Sequence, residues 1–151
     1  MCRLGFAPEL VCADARTWQP PQPLDAVLLD APCTATGVFR RHPDVLVNKS
    51  PEQVQSMAAK QFALMRAAAR LLRPGGRLVY CVCSAQPEEG EAVAARALAQ
   101  LPLQPLAITP ERAVYGREFI RGHALRIPPG AWADKGGLDA FYMAMFVRAK
   151  A

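Results

Sequence analysis

Three places in the sequence carry residues able to do covalent or acid–base chemistry. They are Asp14, the run Asp30-Ala31-Pro32-Cys33, and the run Cys81-Val82-Cys83-Ser84. A cysteine thiolate is a strong nucleophile, and a carboxyl group beside it can hold or pass a proton. Each place follows a short apolar run. In open α/β sheets, ligands collect beyond the carboxyl ends of the strands. If these runs are strands, a carboxylate and two or three thiols face one crevice. Cys81 and Cys83 stand two apart, so they share a face as far as the strand stays regular. The spacing predicts Cys81 packed and Cys83 at the strand mouth. Taken singly, each residue has a plainer reading. A strand-end aspartate is commonly satisfied by backbone donors, and cysteine is among the most buried residue types. Cys2 and Cys12 read as structural.

The elements that must position these groups alternate between strand and helix. Glu9–Ala13 and Asp25–Asp30 read as short apolar strands of the kind buried on both faces of a parallel sheet. Ser50 then caps a helix, with Pro51 at its first position and Gln53 where a capping box needs it. Val54, Met57, Ala58, Met65, Ala68 and Leu72 recur mostly every three or four residues and form one stripe. Arg73-Pro74-Gly75-Gly76 stops that helix, and Leu78–Val82 reads as a strand. Pro87, Glu88 and Glu89 open a second helix with carboxylates at its positive end, running to about Gln100. Leu103–Ile108 and Phe141–Val147 read as two more strands. Residues 111–137 form a long loop rich in arginine, and long loops in compact domains are usually functional. The alternation predicts an α/β domain with a mostly parallel sheet.

Composition narrows the class. The 151 residues are 52% hydrophobic and 21% charged, which excludes a disordered tail. No apolar run reaches the roughly 20 residues of a membrane span, and no leader pattern opens the chain, so no membrane partner and a cytoplasmic location are expected. Five cysteines without a C-x-x-C pair, and only His42 and His123, predict no metal site and no disulfide framework. The 18 Lys and Arg against 13 Asp and Glu leave a net +5, which suits a polyanionic partner such as RNA.

Two stretches together resemble signature motifs of the Sun/Nop family of RNA cytosine-5 methyltransferases. They are D-A-P-C-T-A-T-G (Asp30–Gly37) and Y-C-V-C-S-A-Q-P-E-E-G-E (Tyr80–Glu91). Arg40-Arg41-His42-Pro43-Asp44, Leu71–Gly76 and Leu138–Phe146 also look like family segments, and the first resembles the branch acting on bacterial small-subunit ribosomal RNA. The resemblance implies a Rossmann-like fold and S-adenosylmethionine as methyl donor. Carbon 5 of cytosine is a poor nucleophile, so such an enzyme first adds a thiolate at carbon 6. By resemblance, Cys83 is that nucleophile and Cys33 assists release of the product. Asp30 lies beside both base and cofactor, Asp14 reads the adenine, and the backbone of Pro32 lines the base pocket. Arg40, Arg41, His42, Lys49 and the loop arginines are expected to meet RNA phosphates, a salt-sensitive contribution.

The sequence departs from the family where the cofactor's glycine-rich turn is expected. Gly5 is the only glycine before Gly37, and no acidic residue stands ready for the ribose hydroxyls. The chain therefore reads as the carboxyl-terminal part of a catalytic domain, with the first two strands of the fold missing. A gapped sheet with open edges predicts self-association through Asp25–Asp30 or dependence on a missing amino-terminal half. Two other functions stay open. One is a DNA cytosine-5 methyltransferase, whose nucleophile lies in a Pro-Cys pair like Pro32-Cys33. The other is an inactive RNA-binding or interaction fragment.

Overall fold

The structure, a computed structural model, describes residues 5–47, 49–109 and 116–150. Its longest helix, α1 (Pro51–Leu71), begins as the sequence predicts. The Ser50 side chain accepts from the Gln53 amide, and the Gln53 side chain accepts from the Ser50 amide. This reciprocal cap satisfies two of the donors that a helix start leaves unpaired. The buried face carries Val54, Gln61, Phe62, Met65 and Ala67–Ala69, while Met57 and Ala58 are only half-buried.

Six strands form one sheet: β1 (Leu24–Asp30), β2 (Leu72–Val82), β3 (Leu103–Pro105), β4 (Ile120–Arg121), β5 (Ala124–Ile127) and β6 (Phe141–Arg148). The order is β1-β2-β6-β5-β4, and β3 pairs with the far end of β6. The expectation of a mostly parallel sheet is corrected. Among the described residues only β1 and β2 run parallel, and the other four ladders are antiparallel. The reason lies in residues 116–137. Instead of one structureless loop they hold the β4–β5 hairpin, whose antiparallel return pairs Ala124–Ile127 with Phe141–Ala144. The remainder of the expected loop, Glu111–Tyr115, lies outside the described residues.

Other boundaries also differ. Glu9–Ala13 is not a strand. It is exposed, with no ladder to satisfy its backbone, because no strand lies beside it among the described residues. β2 starts at Leu72, directly after α1, and Gly75 (φ 78°) bends the chain where the β1–β2 register slips. The last strand but one in the sequence reading shortens to Leu103–Pro105. The second helix, α2 (Glu91–Gln100), starts four residues later than predicted, after a turn over Pro87–Gly90.

Both helices cover one face of the sheet. Leu78, Tyr80 and Val82 of β2 and Tyr142, Ala144 and Phe146 of β6 pack there with Met65, Leu72, Val93, Ala94 and Ala97. The opposite face is open. Leu28 is 72% exposed, and β1 shows one half-buried and one exposed side, correcting the expectation of burial on both faces. β1 is also an edge strand, paired only to β2 among the described residues.

Candidate active site

The carboxyl ends of β1 and β2 are adjacent, with Asp30 paired to Cys81. Parallel partners point to the same side, so Asp30 and Cys81 share the open face, and the Cys81 thiol donates to Asp30 Oδ1 at 3.7 Å. Cys81 is buried, and burial with the nearby Asp30 charge pushes its thiol up to about 11. Asp30 itself is exposed and makes no ion pair among the described residues.

Beyond the strands the chain turns and the thiols sort themselves. Cys83 leaves β2 by one residue, and its sulfur lies 3.4 Å from that of Cys33. The two cysteines, 50 residues apart, are thus brought into contact, whereas Cys81 is turned to Asp30. Burial, and then the neighbouring Cys83 sulfur and Glu89 charge, push the Cys33 thiol up to about 12, although a backbone donor at Ala35 acts against them. Cys33 is therefore a thiol at neutral pH, and either sulfur can serve as donor in the contact.

Backbone bonds clamp the two cysteine segments together. Gly37 N donates to Cys83 O at 3.0 Å, Ala140 N donates to Gly37 O at 2.9 Å, and Ala31 N donates to Cys81 O at 3.0 Å. A side chain at Gly37 would overlap the Ala140 carbonyl and stand 2.9 Å from Cys83 O, so glycine serves close approach here.

One residue that the sequence reading assigned to a helix start is the hub of the site. Glu89 is fully buried. Its carboxyl group accepts from Thr34 N at 2.9 Å, Gln61 Nε2 at 2.8 Å, Ser84 Oγ at 3.1 Å and the Thr34 hydroxyl. Gln61 Nε2 also donates to Pro32 O at 2.9 Å, and Gln61 Oε1 is the buried side-chain atom left without a partner among the described residues. The sequence carries one signal of this burial. A polar Gln61 sits on the buried stripe of α1, and such a residue requires a polar partner inside.

A cleft of about 270 Å³ opens beside Cys33, lined by Thr34, Lys49, Gln53, Ser56, Met57 and Lys60. It brings Lys49, expected to meet RNA phosphates, into one cleft with the Cys33 thiol, together with Lys60, which the sequence reading missed. Three of the other predicted cations, Arg40, Arg41 and Arg126, are engaged within the chain. Arg41 forms a forked pair with Asp139, and Arg40 lies 3.8 Å from the same carboxylate. That pair holds the Asp139 carboxyl below its usual range. His42 is the capping residue of the short turn Pro43–Leu46. Arg126, from the arginine-rich segment, donates to Ser84 O at 2.8 Å, forks onto Glu91 and stacks 4.8 Å over Tyr142. It braces the site from within the fold.

Asp14 stands apart. It is exposed, and both its oxygens are occupied by Arg16, which lowers its carboxyl to about 2. Cys12 is exposed rather than structural, and Cys2 lies outside the described residues. No group of three or more metal-ligating side chains occurs among the described residues, and no described helix is long and apolar enough to cross a membrane.

The family described as 16S rRNA methyltransferase RsmB/F matches residues 1–147. The chain belongs to this family. Ribosomal RNA small subunit methyltransferase B of Xanthomonas campestris is 38% identical over 140 residues, covering 91% of this chain and 30% of the relative. The protein of the same name from Thermus thermophilus is 42% identical, over 85% of this chain and 30% of the relative. Among solved structures, NSun6 from Pyrococcus horikoshii, determined with SFG, aligns with a TM-score of 0.77 at 27% identity, over 95% of this chain and 35% of that one. The chain thus spans about a third of the length of the RsmB/F relatives it matches. The likeness fits a Rossmann-like methyltransferase fold, present here in part.

Proposed function

We propose that the chain carries the thiol chemistry of an S-adenosylmethionine-dependent ribosomal RNA cytosine-5 methyltransferase, as part of its catalytic domain. The observation that carries this reading is the 3.4 Å contact between Cys33 and Cys83 at the ends of adjacent strands. A DNA-type enzyme needs only the Pro-Cys thiol. Two thiols in contact, within an RsmB/F family match, favour the RNA reading over both the DNA and the inactive-fragment readings.

In this reading Cys83, one residue beyond β2, adds through sulfur to carbon 6 of the cytosine. The protonated Cys33 thiol stabilises the Cys83 thiolate by donating to it. Asp30, at the end of β1, supplies a proton or hydrogen bond at ring N3 as charge develops there. S-adenosylmethionine, when bound, supplies the electrophilic methyl group. On release the Cys83–carbon 6 bond breaks, Cys33 passes its proton to the departing Cys83 sulfur, and Cys33 takes the proton from carbon 5. Ring N3 returns its proton to Asp30, Cys33 ends as a thiol, and Cys83 sheds to solvent the one proton that the methyl group displaced, which restores its thiolate.

The described residues fit the cofactor in part. Asp30 is exposed at the strand end and, among the described residues, makes no ion pair, and the nearby Pro32 backbone is held by Gln61. These two would face the cofactor. Asp14 does not fit an adenine reader, because Arg16 already occupies both its oxygens. That NSun6 was solved with SFG, an analogue of S-adenosylmethionine, supports the choice of cofactor.

Lys49 and Lys60, lining the cleft beside Cys33, are the cations best disposed for RNA phosphates. Arg40, Arg41 and His42 are further candidates for phosphates, with the two arginines partly neutralised by Asp139. We assign a ribosomal RNA-directed role on this basis. The open edge and exposed face of β1 suit pairing with a second copy or with an amino-terminal partner, which light scattering would detect as a mass above 16.4 kDa.

The deciding experiment is trapping with RNA containing 5-fluorocytosine and S-adenosylmethionine, with the remainder of the catalytic domain supplied from a full-length relative. Cys83→Ala is expected to abolish the covalent complex. Cys33→Ala should let adduct on natural RNA accumulate, because attack proceeds and release fails. Reversal of these two results would move the nucleophile to Cys33 and favour the DNA-type reading.

A further inference from the structure

We propose that Glu89 is the positioning residue of the thiol pair, holding Cys33 and Cys83 in contact by joining their two segments through its buried carboxyl group. The proposal rests on the reading of Cys33 and Cys83 as the working thiols, but it concerns their spacing and not the methylation itself.

The geometry is asymmetric in a telling way. Glu89 touches neither thiol directly. It accepts from the backbone and hydroxyl of Thr34, the neighbour of Cys33, and from the hydroxyl of Ser84, the neighbour of Cys83. A third strut comes from α1, where Gln61 links the same carboxyl group to the Pro32 carbonyl. The residues on both sides of Cys33 are therefore tied to Glu89. Ser84 is further bound to Thr34 at 3.4 Å and Thr36 at 3.2 Å, and its carbonyl accepts from Arg126. Glu89 is itself fixed. Its turn carbonyl accepts from Tyr80 at 2.5 Å, and a side chain at Gly90 would stand 2.9 Å from the Tyr142 ring.

Such a hub has no helix-capping purpose. α2 starts at Glu91, and its capping position is Gly90. A fully buried carboxyl group without an ion-pair partner is costly unless every acceptor site is filled. Here the donors converge from the two thiol-bearing segments and α1, so loss of the carboxyl group releases all of them together. Two thiols on separate segments need this restraint, because only a fixed separation lets one pass a proton to the other.

Glutamine at this position can reproduce the struts. Its amide oxygen accepts from Thr34 N and Gln61, while its amide N–H groups donate to the two hydroxyls, which turn to accept. Alanine cannot. The measurement is the rate at which diamide closes a Cys33–Cys83 disulfide in the purified chain, followed by peptide mapping. The two thiols lose two protons and two electrons, and the azo group of the reagent takes them up as a hydrazine. Closure is expected in E89Q at close to the parent rate, and in E89A slower by about tenfold or more, the scale of a small misplacement of reacting groups. Alkylation of Cys83 by iodoacetamide should proceed in both variants. Equal closure rates in E89A and E89Q would overturn the proposal. Should E89A fail to fold by circular dichroism, Thr34→Val removes one hydroxyl strut and keeps the backbone donor. A slower closure in that variant supports the proposal, and a parent-like rate overturns it. Since no RNA or cofactor is present, failure of the 5-fluorocytosine trapping leaves this result standing, and the reverse holds as well.

Discussion

Two regions of this chain hold the residues that its motifs single out, and they are built in opposite ways. Around Cys33 and Cys83, backbone and side-chain bonds join segments about 50 residues apart, and the acid at the centre is fully buried. Around Asp14, the carboxylate's partner among the described residues is Arg16, two positions away, and Phe6, Leu10 and Val11 are 73%, 78% and 53% exposed. Among the described residues the segment has one long-range hydrogen bond, from Arg70 to Arg16 O at 3.3 Å. A functional group becomes a site only when distant elements restrain it. The thiol pair meets that condition, and Asp14 has its fork with Arg16 instead.

Substitutions should separate the two regions sharply. The largest effect is expected at the packed floor beneath the thiols. Met65 is fully buried in the core cluster, and Met65→Ala should cost about 2–5 kcal/mol in a urea melt. If it costs under 1 kcal/mol, the helix does not depend on the sheet as described. Next comes Gly37→Ala, which forces a methyl group against Ala140 O and Cys83 O. A loss of about 2 kcal/mol and slowed Cys33–Cys83 disulfide closure are expected together. Stability lost with closure unchanged would show that the clamp does not set the thiol spacing.

A smaller effect concerns pH. The Cys33 thiol, ordinarily near 9, is raised to about 12 in the folded chain. The unfolded chain therefore releases this proton first, so the contribution to stability is whole below about 9 and declines between 9 and 12. Cys33→Ser should flatten the alkaline fall of the melting temperature over that window. Cys81, raised to about 11 for a similar reason, keeps part of the slope. An unchanged slope would mean that Cys33 is not desolvated.

The smallest effects belong to the other region. Leu10→Ser, at a position 78% exposed, should change stability by no more than about 0.5 kcal/mol. Arg16→Ala should leave the melting temperature unmoved while freeing both Asp14 oxygens. A large loss in either variant would show that the segment is held in solution by contacts beyond those described.

Much of this protein was legible from residue order because the signals are local. The capping box at Ser50 and Gln53 needs only a spacing of three, and it formed as read. The strand ends at Asp30 and Val82 followed from apolar runs bounded by polar residues, which also put Cys83 just past the mouth of β2. Family membership rested on two contiguous motifs. Other features depend on partners that no local pattern names. Glu89 looked like a first-turn carboxylate, since acids favour helix starts. Only the approach of Thr34, Gln61 and Ser84 from three other segments buried it and gave it donors. Arg126 looked like one more phosphate contact, until β5 laid it over Tyr142 beside Glu91. Glu9–Ala13 has the composition of a strand, but a strand exists only where a neighbour completes its hydrogen bonds, and among the described residues none lies there. Residue order settled which groups can react. Tertiary contact decided which of them meet, because a 3.4 Å approach between residues 33 and 83 is a property of the packed sheet and not of either motif.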